Sequence, residues 1–133
     1  MQALPTRDAV LPMLALLISA RDQGIALSQL ARGLPSRHTA SDRIQAFPLE
    51  RSRALLEKLA TSSAALSELL GDLCGEAMDI NRIDGLRITF ACGEIVHLRP
   101  SGNAPELRCY AEADTPARAA ELARACLASI RVS

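Results

Sequence analysis

Aromatic side chains are almost absent, with two Phe, one Tyr and no Trp among 133 residues. This scarcity excludes a platform on which the bases of a single strand could stack. Positive charge is not in excess either, because 15 basic residues balance 15 acidic ones and the net charge is zero. A neutral chain without a basic run does not attract a phosphate backbone nonspecifically. We therefore expect no nucleic-acid partner.

Long apolar runs and paired metal ligands are also missing. The run over residues 9–20 is too short to cross a bilayer, and Asp8 and Pro12 interrupt the N-terminal apolar segment, so neither a membrane partner nor a signal peptide is predicted. The four cysteines lack zinc spacing, which argues against a metal site. Cys109 and Cys126 fall on apolar faces, so we expect buried free thiols and a cytoplasmic location.

Apolar residues make up 49% of the chain, which is enough for one domain with a core. Residues 7–23 are predicted to form a helix that Thr6 caps and Gly24 ends. Its apolar side chains lie almost all round, so the helix should be buried on more than one side, and Pro12 should lie in its first turn or kink it. A short second helix is predicted over residues 28–32.

The segment 35–48 differs in character from its neighbours. It is polar, is bounded by Pro35 and Pro48, and lacks any periodicity. We interpret it as a linker between a helical segment, residues 1–34, and a domain over residues 49–133. Four of its polar residues are interpreted as hinge or solvated side chains: Arg37, Ser41, Asp42 and Arg43.

The region 49–133 has the pattern of an α+β domain. Two helices are predicted over 48–60 and 63–73, and a last helix is predicted to begin at Pro116 after the cap Thr115. Between them the apolar period is two, and Asp84-Gly85 indicates a tight turn. The prediction is a two-layer domain, with a four-stranded, mainly antiparallel sheet and helices on one face.

A loop over residues 99–108 carries the groups that a phosphate would need. Ser101 offers a hydroxyl, Asn103 an amide, and Gly102 would let backbone amides turn inward. Arg99 and Arg108 bracket these donors with two guanidiniums, which favour a dianion held in one orientation. From the residues alone, a solvated hairpin with two surface arginines stays an equal alternative.

The same loop resembles a motif in the last domain of the phosphohexomutases, the family of phosphomannomutases and phosphoglucomutases. That motif is Arg-Pro-Ser-Gly-Thr-Glu-Pro, two residues and Arg, before a strand similar to Val-Tyr-x-Glu. The stretch RPSGNAPELRCYAEA departs from it at Asn103 and Ala104, where the family has Thr and Glu. It matches at Arg99, Pro100, Ser101, Gly102, Pro105, Arg108, Tyr110 and Glu112.

The resemblance implies a TBP-like last domain preceded by the end of domain three. The implied parent enzyme interconverts hexose 1-phosphate and hexose 6-phosphate, with magnesium as its cofactor. The domain's part would be to hold the phosphate that is not reacting. The implied ligands are mannose or glucose 1- or 6-phosphate, and five residues would contact the phosphate: Arg99, Ser101, Gly102, Asn103 and Arg108.

The family's phosphoserine, metal-binding and sugar-selecting motifs do not occur in these 133 residues. We therefore expect a C-terminal fragment with no catalytic residue and no cofactor of its own, inactive alone and completed by N-terminal domains. Its first helix could also mediate self-association. A stand-alone anion-binding or regulatory module and a helix-mediated interaction module remain the alternatives. His97 is interpreted as a surface strand residue and His38 as a linker residue.

Overall fold

A computed structural model of the chain describes residues 9–34 and 36–132. These residues form two units that divide between Ser36 and Arg37. The predicted helix cap Thr6 and the predicted helix start at residue 7 lie outside the described residues. Each unit is built from a different pattern in the sequence, and each is described by itself.

The first unit is helical. Helix α1 spans Val10–Gln23, helix α2 spans Leu27–Leu30, and a 3-10 helix follows over Ala31–Gly33. As predicted, α1 ends at Gly24, whose left-handed φ of 65° lets its N–H donate to carbonyls of the last turn. Pro12 lies in the first turn, where its missing N–H costs no helical hydrogen bond.

The apolar surface of α1 is largely exposed in the described chain, in contrast to the expected burial on several sides. Only Ala20 is buried among the described residues of this helix. No single helix within 9–34 or 36–132 has the length and hydropathy to span a membrane. Helix α1 and the helical segment Leu27–Gly33 reach that length and hydropathy only when taken together, and an 89° bend separates them. Seven large apolar side chains stay 40–60% exposed: Val10, Leu11, Met13, Leu14, Leu16, Leu17 and Ile18.

The second unit is built on a sheet of five strands, which confirms the α+β class but exceeds the predicted strand number by one. The strands are β1 His38–Gln45, β2 Ala77–Asn81, β3 Leu86–Phe90, β4 Ile95–Pro100 and β5 Glu106–Ala113. Their order is β1-β5-β4-β3-β2, and every neighbouring pair is antiparallel.

Strand β1 corrects the interpretation of residues 35–48 as a linker. It pairs along its whole length with β5, from His38 opposite Ala113 to Gln45 opposite Glu106. Because β1 is an edge strand, it needs few apolar side chains, and only Ile44 is buried along it. The polar composition that indicated a linker is therefore that of a sheet edge.

Three helices complete the second unit close to their predicted bounds: α3 Leu49–Thr61, α4 Ser63–Cys74 and α5 Pro116–Val132. The hydroxyl of Thr115 caps α5 as predicted, by accepting a hydrogen bond from the N–H of Arg118 at 3.1 Å. Ser62 caps α4 in the same way through the N–H of Ala65. The predicted apolar stripe of α5 is buried: Ala119, Leu122, Ala123, Cys126, Leu127 and Ile130.

These helices cover only one face of the sheet. Alternate strand residues on this face join α3, α4 and α5 in one hydrophobic core. We call it the helix-covered face; its strand residues include Leu86, Ile88, Phe90, Val96, Leu98, Leu107, Cys109 and Ala111. The intervening residues point the other way and form what we call the open face: Ser41, Arg43, Arg87, His97, Arg99, Arg108, Tyr110 and Glu112.

The Asp84-Gly85 turn joins β2 to β3 as predicted. Gly85 has a φ of 87°, and a Cβ at this position would lie 2.3 Å from the carbonyl oxygen of Leu98. Only glycine meets both demands, because other residues disfavour positive φ and would clash with the β4 backbone. The turn is therefore packed against the end of β4 at which the 101–105 loop begins.

Candidate phosphate-binding site

The loop 101–105 is fastened at both of its ends. The N–H of Ser101 donates to the carbonyl of Glu106 at 2.9 Å, and the N–H of Glu106 donates to the carbonyl of Ala104 at 2.8 Å. A third hydrogen bond of 2.8 Å runs from the N–H of Phe47 to the carbonyl of Pro105. The loop is thus tied to the end of β1 as well as to β4 and β5, and little freedom remains to be lost when a ligand binds.

Ser101 is the most enclosed polar residue of the loop, with 8% of its surface exposed. Its Oγ lies 3.4 Å from the N–H of Asn103, which can donate to it. Because Oγ acts as an acceptor in this contact, the Ser101 O–H remains available as a donor. Asn103 itself is exposed, so its side-chain amide reaches the solvent side of the loop.

Gly102 requires a different explanation from the one based on the sequence. It is not among the residues with positive φ, and a Cβ added to it would meet no atom within 4 Å. The local backbone therefore does not require glycine to turn the amides inward. The open space beside Gly102 would let a ligand approach the backbone closely.

The two bracketing arginines are direct neighbours across the sheet. Arg99 of β4 lies opposite Arg108 of β5, and both side chains belong to the open face. Arg99 forms an ion pair with Asp84, with Nε 2.9 Å from Oδ1, which ties it to the β2–β3 turn. Like charges directly opposite each other destabilise a sheet, so this pair needs counter-charges or an anion beside it.

Arg43 of β1 continues this row, because it lies opposite Arg108 on the other side. The prediction from the sequence treated Arg43 as a hinge or solvated residue and missed this position. No local signal marked it, because only Ile44 is buried along β1 and a largely polar strand shows no recognisable period of two. A cavity of about 420 Å³ lies here, lined by Ser41, Asp42, Arg43, Arg108 and Tyr110.

Glu106 supplies a counter-charge within the row. Its carboxylate, 12% exposed, lies 3.5 Å from Nη1 of Arg43 and 3.7 Å from Nη2 of Arg108. Together with Asp84, it leaves three guanidiniums facing two carboxylates. Asp42, which accepts a hydrogen bond from the N–H of Arg43 at 2.7 Å, also lines the cavity, so this end of the open face concentrates guanidinium donors without a net charge of its own.

The ring residues next to this row are held by the same part of the fold. His97 lies opposite Tyr110, with ring centroids 5.7 Å apart, and its Nε2 lies 2.5 Å from the carbonyl oxygen of Asp84. His97 is a strand residue of the open face, as predicted, whereas His38 lies in β1 and not in a linker. The rings of His97 and Tyr110 border the arginine row on the open face.

The cysteines lie elsewhere, and two of them, Cys74 and Cys126, are poor nucleophiles. Cys109 and Cys126 are buried free thiols, which confirms that prediction. A hydrogen bond to Cys109 and burial raise the pKa of Cys126. Burial and the nearby Glu94 carboxylate raise the pKa of Cys74 to about 12, so this thiol stays protonated at neutral pH.

The described residues do not fit the magnesium ion that the parent enzyme is expected to use. No group of three or more His, Cys, Asp or Glu side chains within 9–34 and 36–132 is arranged to hold a metal ion. The carboxylates of Asp84 and Glu106 pair with Arg99 and Arg108 instead. The described part of the chain therefore supplies no ligand set for a metal ion.

The chain thus combines an α+β fold with a fastened loop and a row of three arginines at one end of an open sheet face. Its residues 41–129 match the family model described as phosphoglucomutase/phosphomannomutase, C-terminal domain. The chain belongs to this family, as the loop motif indicated.

Curated relatives agree with this assignment. The phosphomannomutase of Salmonella muenchen is 40% identical over 131 residues, 98% of this chain and 27% of that protein. The phosphomannomutase of Sinorhizobium fredii is 46% identical over 124 residues, which are 90% of this chain and 25% of that protein. A probable phosphoglucosamine mutase of Methanothermobacter thermautotrophicus is 35% identical over 114 residues, 84% and 23%. The chain spans about a quarter of the length of these proteins.

Proposed function

We propose that this domain binds the phosphate group of a hexose phosphate at the 101–105 loop, within a phosphohexomutase. The observation that carries the proposal is the pairing of Arg99 with Arg108 across β4 and β5, directly beside the enclosed hydroxyl of Ser101. The five residues named from the sequence, Arg99, Ser101, Gly102, Asn103 and Arg108, all lie at this end of the sheet.

The electrostatics of the row support a phosphate monoester as the ligand. A dianion beside Arg99 and Arg108 relieves the repulsion between two like charges on facing strands. Each guanidinium can donate two parallel hydrogen bonds to phosphate oxygens, and Ser101 can donate one more. A neutral sugar offers none of this charge compensation, so recognition would depend on the phosphate.

The role we propose is positioning and not chemistry. A grip on the phosphate that does not react orients the sugar, and its binding energy can lower the barrier at the reacting end. The reaction of the whole enzyme would be the interconversion of hexose 1-phosphate and hexose 6-phosphate. Two of the relatives are named phosphomannomutases, which supports mannose phosphates as its substrates. The phosphoserine and magnesium would come from N-terminal domains, so we expect the chain alone to be inactive. Its free cysteines suit the cytoplasm.

A titration of the chain with mannose 6-phosphate, followed by backbone NMR, tests this proposal. We expect saturable shifts confined to residues 99–108, with a dissociation constant on the order of millimolar because most of the enzyme's contacts are absent. Glucose 1-phosphate should behave similarly, and mannose should cause no shift. Arg99→Ala and Arg108→Ala should each raise the dissociation constant about tenfold, the loss expected for one charged hydrogen-bonding partner.

Arg124→Ala is the matched control, because Arg124 is an exposed arginine of α5, which packs on the helix-covered face. Its affinity should equal that of the unchanged chain. Equal losses in all three variants would point to unspecific attraction by positive charge. The absence of saturable shifts at tens of millimolar would contradict the proposal and favour an interaction module that uses the exposed surface of α1.

A further inference from the structure

Arg43 occupies a position that neither the loop motif nor the proposed phosphate contacts include. The register places Arg43 opposite Arg108, which in turn lies opposite Arg99. Three arginines therefore follow one another on three adjacent strands of the open face. Since neighbouring strands lie about 4.8 Å apart, the row spans roughly 10 Å between its outer Cα atoms.

A row of three like charges is unfavourable unless something compensates it. Glu106 provides part of the compensation, from the same face of β5. Its distances of 3.5 Å to Arg43 and 3.7 Å to Arg108 exceed those of ordinary hydrogen bonds. The carboxylate thus draws both guanidiniums together while most of their donors remain available to another anion.

The cavity beside these two arginines is large enough to hold that anion. Its volume of about 420 Å³ lies in the range of small-molecule sites. Arg43 and Arg108 form its cationic side, and Ser41, Asp42 and Tyr110 complete the lining. The side chain of Arg43 is 53% exposed, so it can turn toward a ligand without leaving a core.

We propose that Arg43 is a third phosphate-binding arginine, which contacts the phosphate monoester together with Arg108. This inference rests on the proposed function, because it extends the same site from the 101–105 loop to the edge strand β1. It explains why an edge strand with one buried residue keeps a large cation at the position facing Arg108. It also makes β1, and not the loop alone, part of the binding site.

The test is a titration of Arg43→Ala and Arg43→Lys with mannose 6-phosphate and, separately, with inorganic phosphate. We expect Arg43→Ala to raise both dissociation constants about five- to tenfold, and Arg43→Lys to raise them less, because lysine keeps the charge but loses the planar fork. In the unchanged chain, the Nε–H resonance of Arg43 should shift on addition of either ligand.

Arg37→Ala is the control, since Arg37 precedes β1 at its opposite end and pairs with Asp114 at 3.0 Å. It should leave both affinities and the Arg43 resonance unchanged. Normal binding by Arg43→Ala, or an unmoved Arg43 resonance at saturation, would overturn the inference and leave the proposed function standing. Failure of the unchanged chain to bind either ligand would overturn both.

Discussion

The same strands supply two sheet faces that differ in composition and in role. On the helix-covered face, alternate residues of the three central strands β3, β4 and β5 are apolar and pack against α3, α4 and α5. On the open face, the residues between them are arginines, rings and carboxylates that interact at longer range. The first face stabilises the fold, whereas the second holds three like charges that the fold itself does not need. A cost of this kind is expected where a protein binds a ligand.

Neighbouring residues of β5 give the sharpest form of this comparison. Leu107 is fully buried on the helix-covered face, and Arg108 lies on the open face. We expect Leu107→Ala to lower the free energy of unfolding by about 2–5 kcal/mol, because it leaves a cavity in the core. Arg108→Ala should change it by less than about 1 kcal/mol. Urea unfolding measures both changes. Equal losses of unfolding free energy would contradict the view that only the helix-covered face stabilises the fold.

A substitution in the β2–β3 turn, which holds Asp84 beside Arg99, should lower the free energy of unfolding nearly as much as a substitution in the core. Gly85→Ala forces a side chain into positive φ and against the carbonyl of Leu98, so we expect a loss of about 1–3 kcal/mol in urea unfolding. Gly93→Ala is the matched control, because Gly93 has a φ of 84° but no atom within 4 Å of an added Cβ. A loss at Gly93 as large as at Gly85 would show that φ alone, and not the contact with β4, sets the cost.

A polar link between the sheet and the helices should make stability depend on pH. The hydrogen bonds from Arg118, at 2.6 and 2.9 Å, lower the pKa of Glu94 from its usual 4.5. The stabilisation is therefore complete above about pH 4.5 and is lost as pH falls through the lower pKa of the folded state. Glu94→Gln should lose about 1–2 kcal/mol at pH 7 and show a weaker acid dependence in thermal unfolding. An unchanged acid limb would contradict this assignment.

The smallest expected effect is a gain in stability from a substitution of Ser52. Ser52 of α3 is fully buried on the helical side, and its hydroxyl has no hydrogen-bond partner in the described part of the chain. Ser52→Ala removes this unsatisfied group and should raise the unfolding midpoint, with a gain of about 1 kcal/mol. A loss of stability would mean that the hydroxyl has a partner, such as a buried water.

The helix-covered face was the predictable part of the fold. Strand alternation, the Asp84-Gly85 turn and the Thr115 cap carry local signals, and all appear where the sequence indicated them. Strand β1 was missed because an edge strand needs only one buried residue, Ile44, and otherwise resembles a loop. A period of two cannot be recognised in a strand that is polar on both faces.

The candidate site was predictable only as far as the loop motif reached. Arg99 and Arg108 were named from the sequence, and the structure brings them together. Arg43 could not be named, because it is 65 residues from Arg108 by their numbering and joins it only through the register of β1 and β5. Glu106 was hidden for the same reason, since its approach to Arg43 depends on that register.

The most direct test of the central claim is the position of the phosphate in a crystal of this chain soaked with mannose 6-phosphate. The account predicts phosphate oxygens within hydrogen-bond distance of the Ser101 hydroxyl and of the guanidinium of Arg108, on the open face beside the 101–105 loop. A phosphate bound away from the arginine row, with this loop unoccupied in the same crystal, would contradict it.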